Sequence, residues 1–491
     1  MRPARPERQP PGYHQEHRRE SPYYDGTPPQ LLSRFFSGMR IESPSPNQRL
    51  RGLWRRSAEV RRLYGSTLFT ESAILASQLI AYRLAASYLG KAGFSEYALA
   101  RRTISLLQPA TLLGLNVALP RYIAFYAARR PGQAPDNYFA SGLLIVAGAL
   151  AACLTLLNLL KGSAAFLFFG SAQYRSLIPA VAVFLLGLAL DMACEGYFRG
   201  GLQMGKANVL RFINLGLLPV IIFPLLGTSA EGVLTAIGAA IGTTSAVALL
   251  FTGFGSNVTR LLGRARELLV YGLGRVPGDL MQLAFISLPA ILIAHLQGVV
   301  TAGLVAFGIS VMVMLCSLFP PISSVLLPEA SQMISRGDLA SLKRRVTQVL
   351  VAALGIVTLS VVTLEVFARP VFRLYLGRSF DDAAGIVRMI ILGALPYAIY
   401  LGLRSVIDAF SVAPINSKNM LISLVVFLLG SAAVYLKLAP PAFILAAFVA
   451  ALYVLGVLTL FEIKKICWSP GAQPDAGAPI PAQAAAADTP L

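Results

Sequence analysis

Charged side chains are scarce in this sequence: only 13% of its 491 residues are Asp, Glu, Lys or Arg, whereas 56% are hydrophobic. A soluble domain of this length needs far more charged surface to stay in water. The mean hydropathy of +0.65 is typical of a protein whose outer surface is solvated by lipid. The composition therefore predicts a polytopic membrane protein.

Cysteine, histidine and nucleotide-binding motifs are also lacking. The four cysteines form no CxxC pair and the three histidines are far apart, so neither a disulfide framework nor a metal site is predicted. The phosphate-binding pattern GxxxxGK[ST] is absent, and no polar segment is long enough for an ATPase domain. No catalytic constellation stands out. We expect a protein that is not an enzyme and has no cofactor beyond a coupling H⁺ or Na⁺.

Apolar stretches of about 20 residues, long enough to cross roughly 30 Å of hydrocarbon as a helix, recur along the chain. They should be helical, because an isolated strand leaves its backbone unpaired in lipid. The pattern predicts an all-α fold with twelve transmembrane helices, at Leu68–Tyr88, Ile104–Tyr126, Phe139–Leu160, Leu177–Tyr197, Phe212–Leu226, Gly232–Phe254, Val270–Leu296, Thr301–Leu327, Val346–Phe367, Ala383–Val406, Met420–Leu436 and Ala442–Phe461.

Lys and Arg are concentrated in alternate loops. If the N-terminus is cytoplasmic, the inside loops hold several basic clusters, such as Arg264 with Arg266 and Lys343 to Arg345. The outside loops hold fewer basic residues. This bias predicts that both termini are cytoplasmic. The net charge of +19 follows that topology, so no nucleic-acid partner is expected.

The two halves of the chain resemble each other. The segments Tyr197–Phe212 and Leu403–Leu421 each follow a fourth span of their half and contain an Arg, a polar turn and an Asn before the next apolar run. A duplicated set of six spans predicts two six-helix lobes with pseudo-two-fold symmetry about the membrane normal. The predicted parts are a disordered basic tail at 1–62, an N-lobe at 63–260, a C-lobe at 261–465 and a disordered Ala/Pro-rich tail at 466–491.

Polar side chains form stripes along three predicted helices. In the second helix, Arg101, Ser105, Gln108 and Asn116 lie within one narrow arc at about 100° per residue, with Arg102 at its edge. A polar stripe faces a bundle interior or water rather than lipid. The other stripes are Glu71, Gln78 and Tyr82 with Arg83 beside them in the first helix, and Arg275, Asp279 and Gln282 in the seventh.

The positive charge of these stripes predicts a water-filled cavity for an anionic substrate. Arginine suits phosphate in particular, because its fork donates two parallel hydrogen bonds and stays charged. Glu71 is the candidate for ion coupling. The candidate substrate-binding residues are Arg83, Arg101, Arg102, Gln108, Arg275 and Asp279.

Each candidate has a structural alternative. Arg101 and Arg102 lie near the outer interface, where long side chains can extend to the headgroups. Arg275 and Asp279 could neutralise each other, and Glu71 could pair with arginines of the N-terminal tail.

Two further charged stripes favour a structural role. Asp191, Glu195 and Arg199 are spaced by four on the fourth helix, so their charges compensate one another. Arg404 and Asp408 repeat this spacing in the second half.

The segments SYLGKAGFSEYALARRTISLL and LGLNVALPRYIAFY resemble the start of polysaccharide flippases, which show an LGxxxFxxYxLA-like turn followed by LGLxxAxxRyxA. The resemblance continues through RGGLQMGKAN, GVLTAIGAAIG and LLPEAS, and covers about Tyr64 to Lys465. The chain is thus similar to the polysaccharide branch of the multidrug/oligosaccharidyl-lipid/polysaccharide exporter superfamily. The matching positions are Leu89, Gly90, Phe94, Tyr97, Leu99, Ala100, Leu113, Gly114, Leu115, Ala118, Arg121, Tyr122 and Ala124.

The resemblance implies a flippase that moves a polyprenyl-diphosphate-linked oligosaccharide from the inner to the outer leaflet of a bacterial inner membrane. The product would serve a surface polysaccharide such as lipopolysaccharide or exopolysaccharide, and transport would use alternating access. Membrane lipids, a polysaccharide polymerase and glycosyltransferases are candidate partners. The sequence departs from the family near Leu288 and Pro289, where members often carry an Asp in the seventh helix.

Two other functions stay open. A cation-coupled multidrug antiporter would use Glu71 as its coupling acid, although the arginines should repel hydrophobic cations. A membrane scaffold would recruit polysaccharide-assembly enzymes through the basic tail, and should fail when the residues before Arg61 are deleted.

Overall fold

The computed structural model describes residues 46–129, 136–252, 261–411 and 413–468. The chain divides into two compact units, Met1–Arg61 and Arg62–Leu491. The predicted tails lie mostly outside the described residues, although the first helix already begins at Pro46. Disorder in the tails therefore stays a prediction.

All regular structure in the described residues is helical, as predicted from the apolar periodicity. The first half contains eight α-helices: α1 Pro46–Leu112, α2 Leu115–Arg129, α3 Asp136–Leu159, α4 Lys161–Phe169, α5 Leu177–Gly200, α6 Met204–Arg211, α7 Leu218–Leu226 and α8 Ala230–Leu250. The second half contains eight more: α9 Leu261–Leu273, α10 Val276–Leu315, α11 Phe319–Ser335, α12 Leu339–Leu376, α13 Ala383–Ile391, α14 Ala394–Phe410, α15 Ile415–Tyr435 and α16 Phe443–Trp468.

Two glycines divide the longest helices. Gly90 in α1 (φ 62°, ψ −173°) and Gly298 in α10 (φ 80°, ψ 173°) have nearly the same backbone conformation, which glycine alone adopts readily. In the described residues eight helices are long and apolar enough to cross a membrane, or ten crossings if each of two bent pairs is one span. Dividing the spans at Gly90 and Gly298 gives twelve, so the predicted fold of twelve helices in two six-helix lobes is confirmed.

The repeated glycine also defines the internal symmetry of the bundle. Glu71 precedes Gly90 by 19 residues, and Asp279 precedes Gly298 by the same number. The first crossing of each lobe therefore carries a carboxylate at an equivalent depth. We call the end of the bundle near Gly90 and Gly298 the glycine end. The opposite end, which carries Arg264 and Arg336, is the basic end.

Several crossings are interrupted where the sequence predicts a continuous span. The seventh breaks between α9 and α10, and the eighth breaks between α10 and α11. Pro277 and Pro320 stand in the first turns of α10 and α11, positions where proline starts a helix without losing a hydrogen bond. The fifth crossing passes from α6 to α7 through a π-helical segment, Phe212–Leu217.

Candidate functional site

The two adjacent arginines of the second crossing have different neighbours. Arg102 is buried, and its Nη2 donates to Ser310 Oγ at 2.6 Å, while its Nε and Nη2 both lie 3.3 Å from the Ala306 carbonyl oxygen. Tyr82 shares a 2.8 Å hydrogen bond with Ser310. Since Ala306 and Ser310 belong to α10, Arg102 ties the N-lobe to the C-lobe and does not extend to the headgroups.

Arg101 points into the N-lobe instead. It is half-buried, its Nη1 donates to the Tyr97 hydroxyl at 3.2 Å, and its guanidinium lies 5.6 Å from the ring centre of Phe184 on α5. Two turns further along, Gln108 donates to the sulfur of Met192, also on α5. The polar stripe of the second crossing thus faces the fourth crossing, as expected for a side turned away from lipid.

Glu71 is part of an ion network inside the N-lobe. Arg211 of α6 lies 3.0 Å from one Glu71 oxygen and donates to the other at 3.2 Å. The same guanidinium lies 3.1 Å from Glu195, which also pairs with Arg199 at 2.6 Å. Glu71 therefore has an arginine partner on the fifth crossing. The sequence analysis named arginines of the N-terminal tail as its alternative partners.

The π-helical segment extends this network into the core. It places Asn214 so that its amide nitrogen donates to Asp191 at 2.6 Å and its oxygen accepts from Thr244 at 2.5 Å. Asp191 is 1% exposed, and its second oxygen has no hydrogen-bond partner. These contacts join the fourth, fifth and sixth crossings, and the Glu71 pair adds the first, in line with the structural role expected for Asp191.

A second polar cluster occupies the C-lobe and centres on Arg404 of α14. Its Nη1 donates to Gln282 of α10 at 3.2 Å, and its side chain lies close to the Tyr400 hydroxyl one turn earlier. Asn416 of α15 donates to Asp408 at 2.7 Å and to the Arg404 carbonyl at 2.8 Å. The stripes of the seventh and tenth crossings thus meet, which the sequence alone did not indicate.

Asp279 joins this cluster to the N-lobe. Its carboxylate lies close to the Asn116 side chain of α2, and its charge interacts with both Arg275 and Arg404. Arg275 is exposed. The predicted pairing of Arg275 with Asp279 therefore stays a prediction, and Asp279 has a second arginine and an amide of the other lobe in its surroundings.

Arg83 is exposed on α1, apart from both clusters. Two functional candidates escaped the sequence reasoning, Arg211 and Arg404. Arg211 lies in a short basic turn, where it looks like part of the orientation signal. Arg404 is spaced four residues from Asp408 and so resembles half of a surface ion pair.

The lobes meet in a seal at the glycine end. Lys91 pairs with Asp382 at 2.6 Å, and Ser95 Oγ donates to the Val300 carbonyl at 3.0 Å. The Phe94 ring lies 5.5 Å from Phe307 of the C-lobe. Together with Arg102, these contacts close the cleft between the lobes at that end.

The fold and its buried charges define a class: a multi-pass membrane protein with a two-lobed transporter architecture. The family described as "Polysaccharide biosynthesis protein" matches residues 66–334, more than half of the chain. The chain therefore belongs to this family. No curated protein matches the sequence.

Solved structures show the same fold at low identity. The lipid II flippase MurJ in an inward closed conformation is 13% identical, with a TM-score of 0.62, 82% of this chain covered and 87% of MurJ. An inward-facing multidrug resistance MATE transporter of the MOP superfamily is 14% identical, with a TM-score of 0.60 and coverage of 82% and 98%. The Vibrio cholerae MATE transporter VcmN in its bent form is 14% identical, with a TM-score of 0.54 and coverage of 82% and 97%.

Proposed function

We propose that this protein is a flippase that moves a polyprenyl-diphosphate-linked oligosaccharide from the inner to the outer leaflet of a bacterial inner membrane. One observation carries the proposal. Partly buried arginines of both lobes lie in the bundle: Arg101 in the N-lobe and Arg404 in the C-lobe. Buried or half-buried cations in a membrane protein are costly and usually mark a substrate path.

The chemistry of these cations suits a diphosphate. Arg404 is held by Gln282 and Tyr400, so its orientation is fixed before a ligand arrives. A guanidinium fixed in this way can donate two parallel hydrogen bonds to phosphate oxygens. Asp279 lies beside Arg404 and would orient it or accept from a sugar hydroxyl. Gln108 offers an amide on the opposite lobe for the glycan.

The seal at the glycine end supports transport by alternating access. With both termini cytoplasmic, the basic end faces the cytoplasm and loads substrate while the seal is closed. Arg102 and Lys91 would have to release their partners in the C-lobe before substrate leaves on the far side. Glu71 is the coupling candidate, because H⁺ or Na⁺ on its carboxylate would compete with Arg211.

Flipping of a fluorescent polyprenyl-diphosphate oligosaccharide in proteoliposomes tests this function. Arg101→Ala and Arg404→Gln should each lower the flipping rate by about tenfold or more, since each removes a charged donor to phosphate. The control is Arg175→Ala, which alters an exposed arginine of a short 3₁₀ turn. Equal rates for all four proteins would show that the phosphate is bound elsewhere, and no flipping by inserted wild type would refute the proposal.

A cation-coupled multidrug antiporter is the second candidate, favoured by the fold shared with MATE transporters. It predicts efflux of hydrophobic cations and no effect of polyprenyl diphosphate on that efflux. Transport of a rhodamine dye by the same proteoliposomes under an imposed H⁺ or Na⁺ gradient separates the two functions. Loss of dye efflux in Glu71→Gln, with flipping absent, would favour the antiporter.

A further inference from the structure

Four tyrosines gather at the basic end, where α2, α3 and α9 meet. Tyr122 and Tyr126 come from α2, Tyr138 from α3 and Tyr271 from α9. The ring centre of Tyr122 lies 5.4 Å from that of Tyr138 and 5.9 Å from that of Tyr271. The Tyr126 and Tyr138 rings are 4.6 Å apart. Because α9 belongs to the C-lobe and α2 and α3 belong to the N-lobe, this cluster spans the two lobes.

One half of the cluster is fully used in internal contacts. Arg264 lies 4.7 Å from the ring centres of both Tyr126 and Tyr138, and donates to their hydroxyls at 2.6 and 2.5 Å. It also pairs with Glu267 at 3.1 Å, and Tyr138 donates to that carboxylate at 2.5 Å. The charge of Glu267 is therefore compensated within the protein.

The other half has cationic donors to spare. Arg121 lies 4.6 Å from the ring centre of Tyr271 and uses one nitrogen to donate to the Tyr271 hydroxyl at 2.7 Å. The rest of its fork is exposed. Arg266 is exposed as well, and it has no acidic partner among the residues that the structure describes.

An open cavity of about 690 Å³ lies beside these cations, lined by Tyr122, Arg266, Glu267, Val270 and Tyr271. Apolar side chains of the same helix are exposed next to it, Val270 at 70% and Leu262 at 80%. Tyrosine, arginine and exposed aliphatic side chains occur together where a protein meets the membrane–water boundary.

We propose that this cavity binds the phosphate head group of an anionic lipid. The spare nitrogens of Arg121 and Arg266 donate to the phosphate oxygens, and the acyl or prenyl chain lies along Leu262 and Val270. The Tyr122 and Tyr271 rings flank the head group. A lipid bound here touches both lobes, so it stabilises the arrangement in which α9 is packed on α2 and α3. This site does not depend on the flippase function, because a phospholipid and a polyprenyl diphosphate carry the same phosphate chemistry.

Native mass spectrometry of the purified full-length protein in detergent tests the site. The protein is titrated separately with phosphatidylglycerol, undecaprenyl diphosphate and phosphatidylcholine. The variant is the double change Arg121→Gln, Arg266→Gln. The matched control is Arg336→Gln, Arg344→Gln, which removes two exposed arginines from the same end of the bundle.

The wild type should prefer an anionic lipid over phosphatidylcholine, and the double variant should bind that lipid about tenfold or more weakly, since a charge-assisted hydrogen bond is lost for each arginine. The control should bind as the wild type does. A loss for both anionic lipids indicates a general phosphate site, and a loss confined to undecaprenyl diphosphate indicates a substrate site. Equal binding of all three lipids to wild type, or equal losses in the variant and the control, would overturn the proposal. The phosphatidylglycerol titration remains informative even if the protein flips nothing.

Discussion

Replacing Arg102 with alanine should open the seal at the glycine end. The side chain makes one short hydrogen bond, to Ser310, and a longer forked contact with the Ala306 carbonyl. A hydrogen bond from a charged donor contributes about 2 kcal/mol net. Ser310 keeps its bond to Tyr82 in the variant, so no buried polar group is left without a partner. The ratio of open to closed molecules should therefore rise roughly thirtyfold.

Distances between spin labels measure this ratio directly. One label is placed at Ala92 and the other at Gly385, two exposed positions at the glycine end of different lobes, in a protein whose four cysteines have been replaced. An added side chain at Gly385 meets no atom within 4 Å. Arg102→Ala should increase the long-distance population in the absence of substrate. Arg102→Lys should give a long-distance population between those of wild type and Arg102→Ala, because a lysine ammonium can make only part of the contacts that the guanidinium makes.

Arg175→Ala, at the same end but outside the seal, should leave the distance distribution unchanged. If Arg102→Ala also leaves it unchanged while it lowers flipping, then Arg102 acts on substrate and does not hold the lobes together. That result would refute the assignment of Arg102 to the seal.

Three further predictions follow from individual contacts. Gly114→Ala should abolish folded protein, because Gly114 has φ +76° and an added Cβ would lie 2.3 Å from a backbone oxygen of α9. Gly148 has open space around it, so Gly148→Ala should yield normal amounts of folded protein on size-exclusion chromatography. Arg211→Ala should lower thermal stability more than Arg199→Ala does. The loss in the free energy of unfolding should be less than about 3 kcal/mol, because Glu195 keeps its pair with Arg199. Asp338 caps the start of α12 by accepting a hydrogen bond from the Ser341 backbone, and this bond holds the pKa of Asp338 below its usual value. The stabilisation by the cap is therefore present near neutral pH and is lost as the pH falls through that lowered pKa. The difference in Tm between wild type and Asp338→Asn should accordingly shrink between pH 6 and pH 3, and a constant difference would contradict the cap.

The helices and their number could be predicted because the bilayer imposes a length and an apolar composition on each crossing. The sequence also indicated which side of the second crossing is polar, since Arg101 and Gln108 lie on one face at helical spacing. The sequence did not indicate that Arg101 and Arg102 contact different helices. A rotation of about 100° between adjacent residues is enough to send Arg101 towards α5 and Arg102 towards α10, and only the packing of the lobes decides which contact each one makes.

The long-range partners could not be predicted for a related reason. Arg211 and Glu71 are 140 residues apart, and nothing in the sequence around either residue indicates that the two are in contact. The π-helical segment was equally hidden. Pro219 and Pro224 suggest a kink in the fifth crossing. The extra residue per turn of the π-helical segment aims Asn214 at Asp191, which is a property of the assembled lobe.

The repeated glycine gives the two acidic positions an equivalent place and different surroundings. Glu71 and Asp279 stand 19 residues before Gly90 and Gly298, so the symmetry of the lobes places both carboxylates at one depth. In the N-lobe the carboxylate is held by Arg211 within a network of that lobe alone. In the C-lobe it reaches Asn116 of the other lobe as well as Arg404. A contact within one lobe survives when the lobes move apart, whereas a contact between lobes does not. If the lobes move apart as proposed above, Asp279 loses Asn116 and keeps Arg404, whereas both described partners of Glu71 and its network lie in its own lobe. The C-lobe cluster is then the cluster whose contacts depend on how the lobes are arranged.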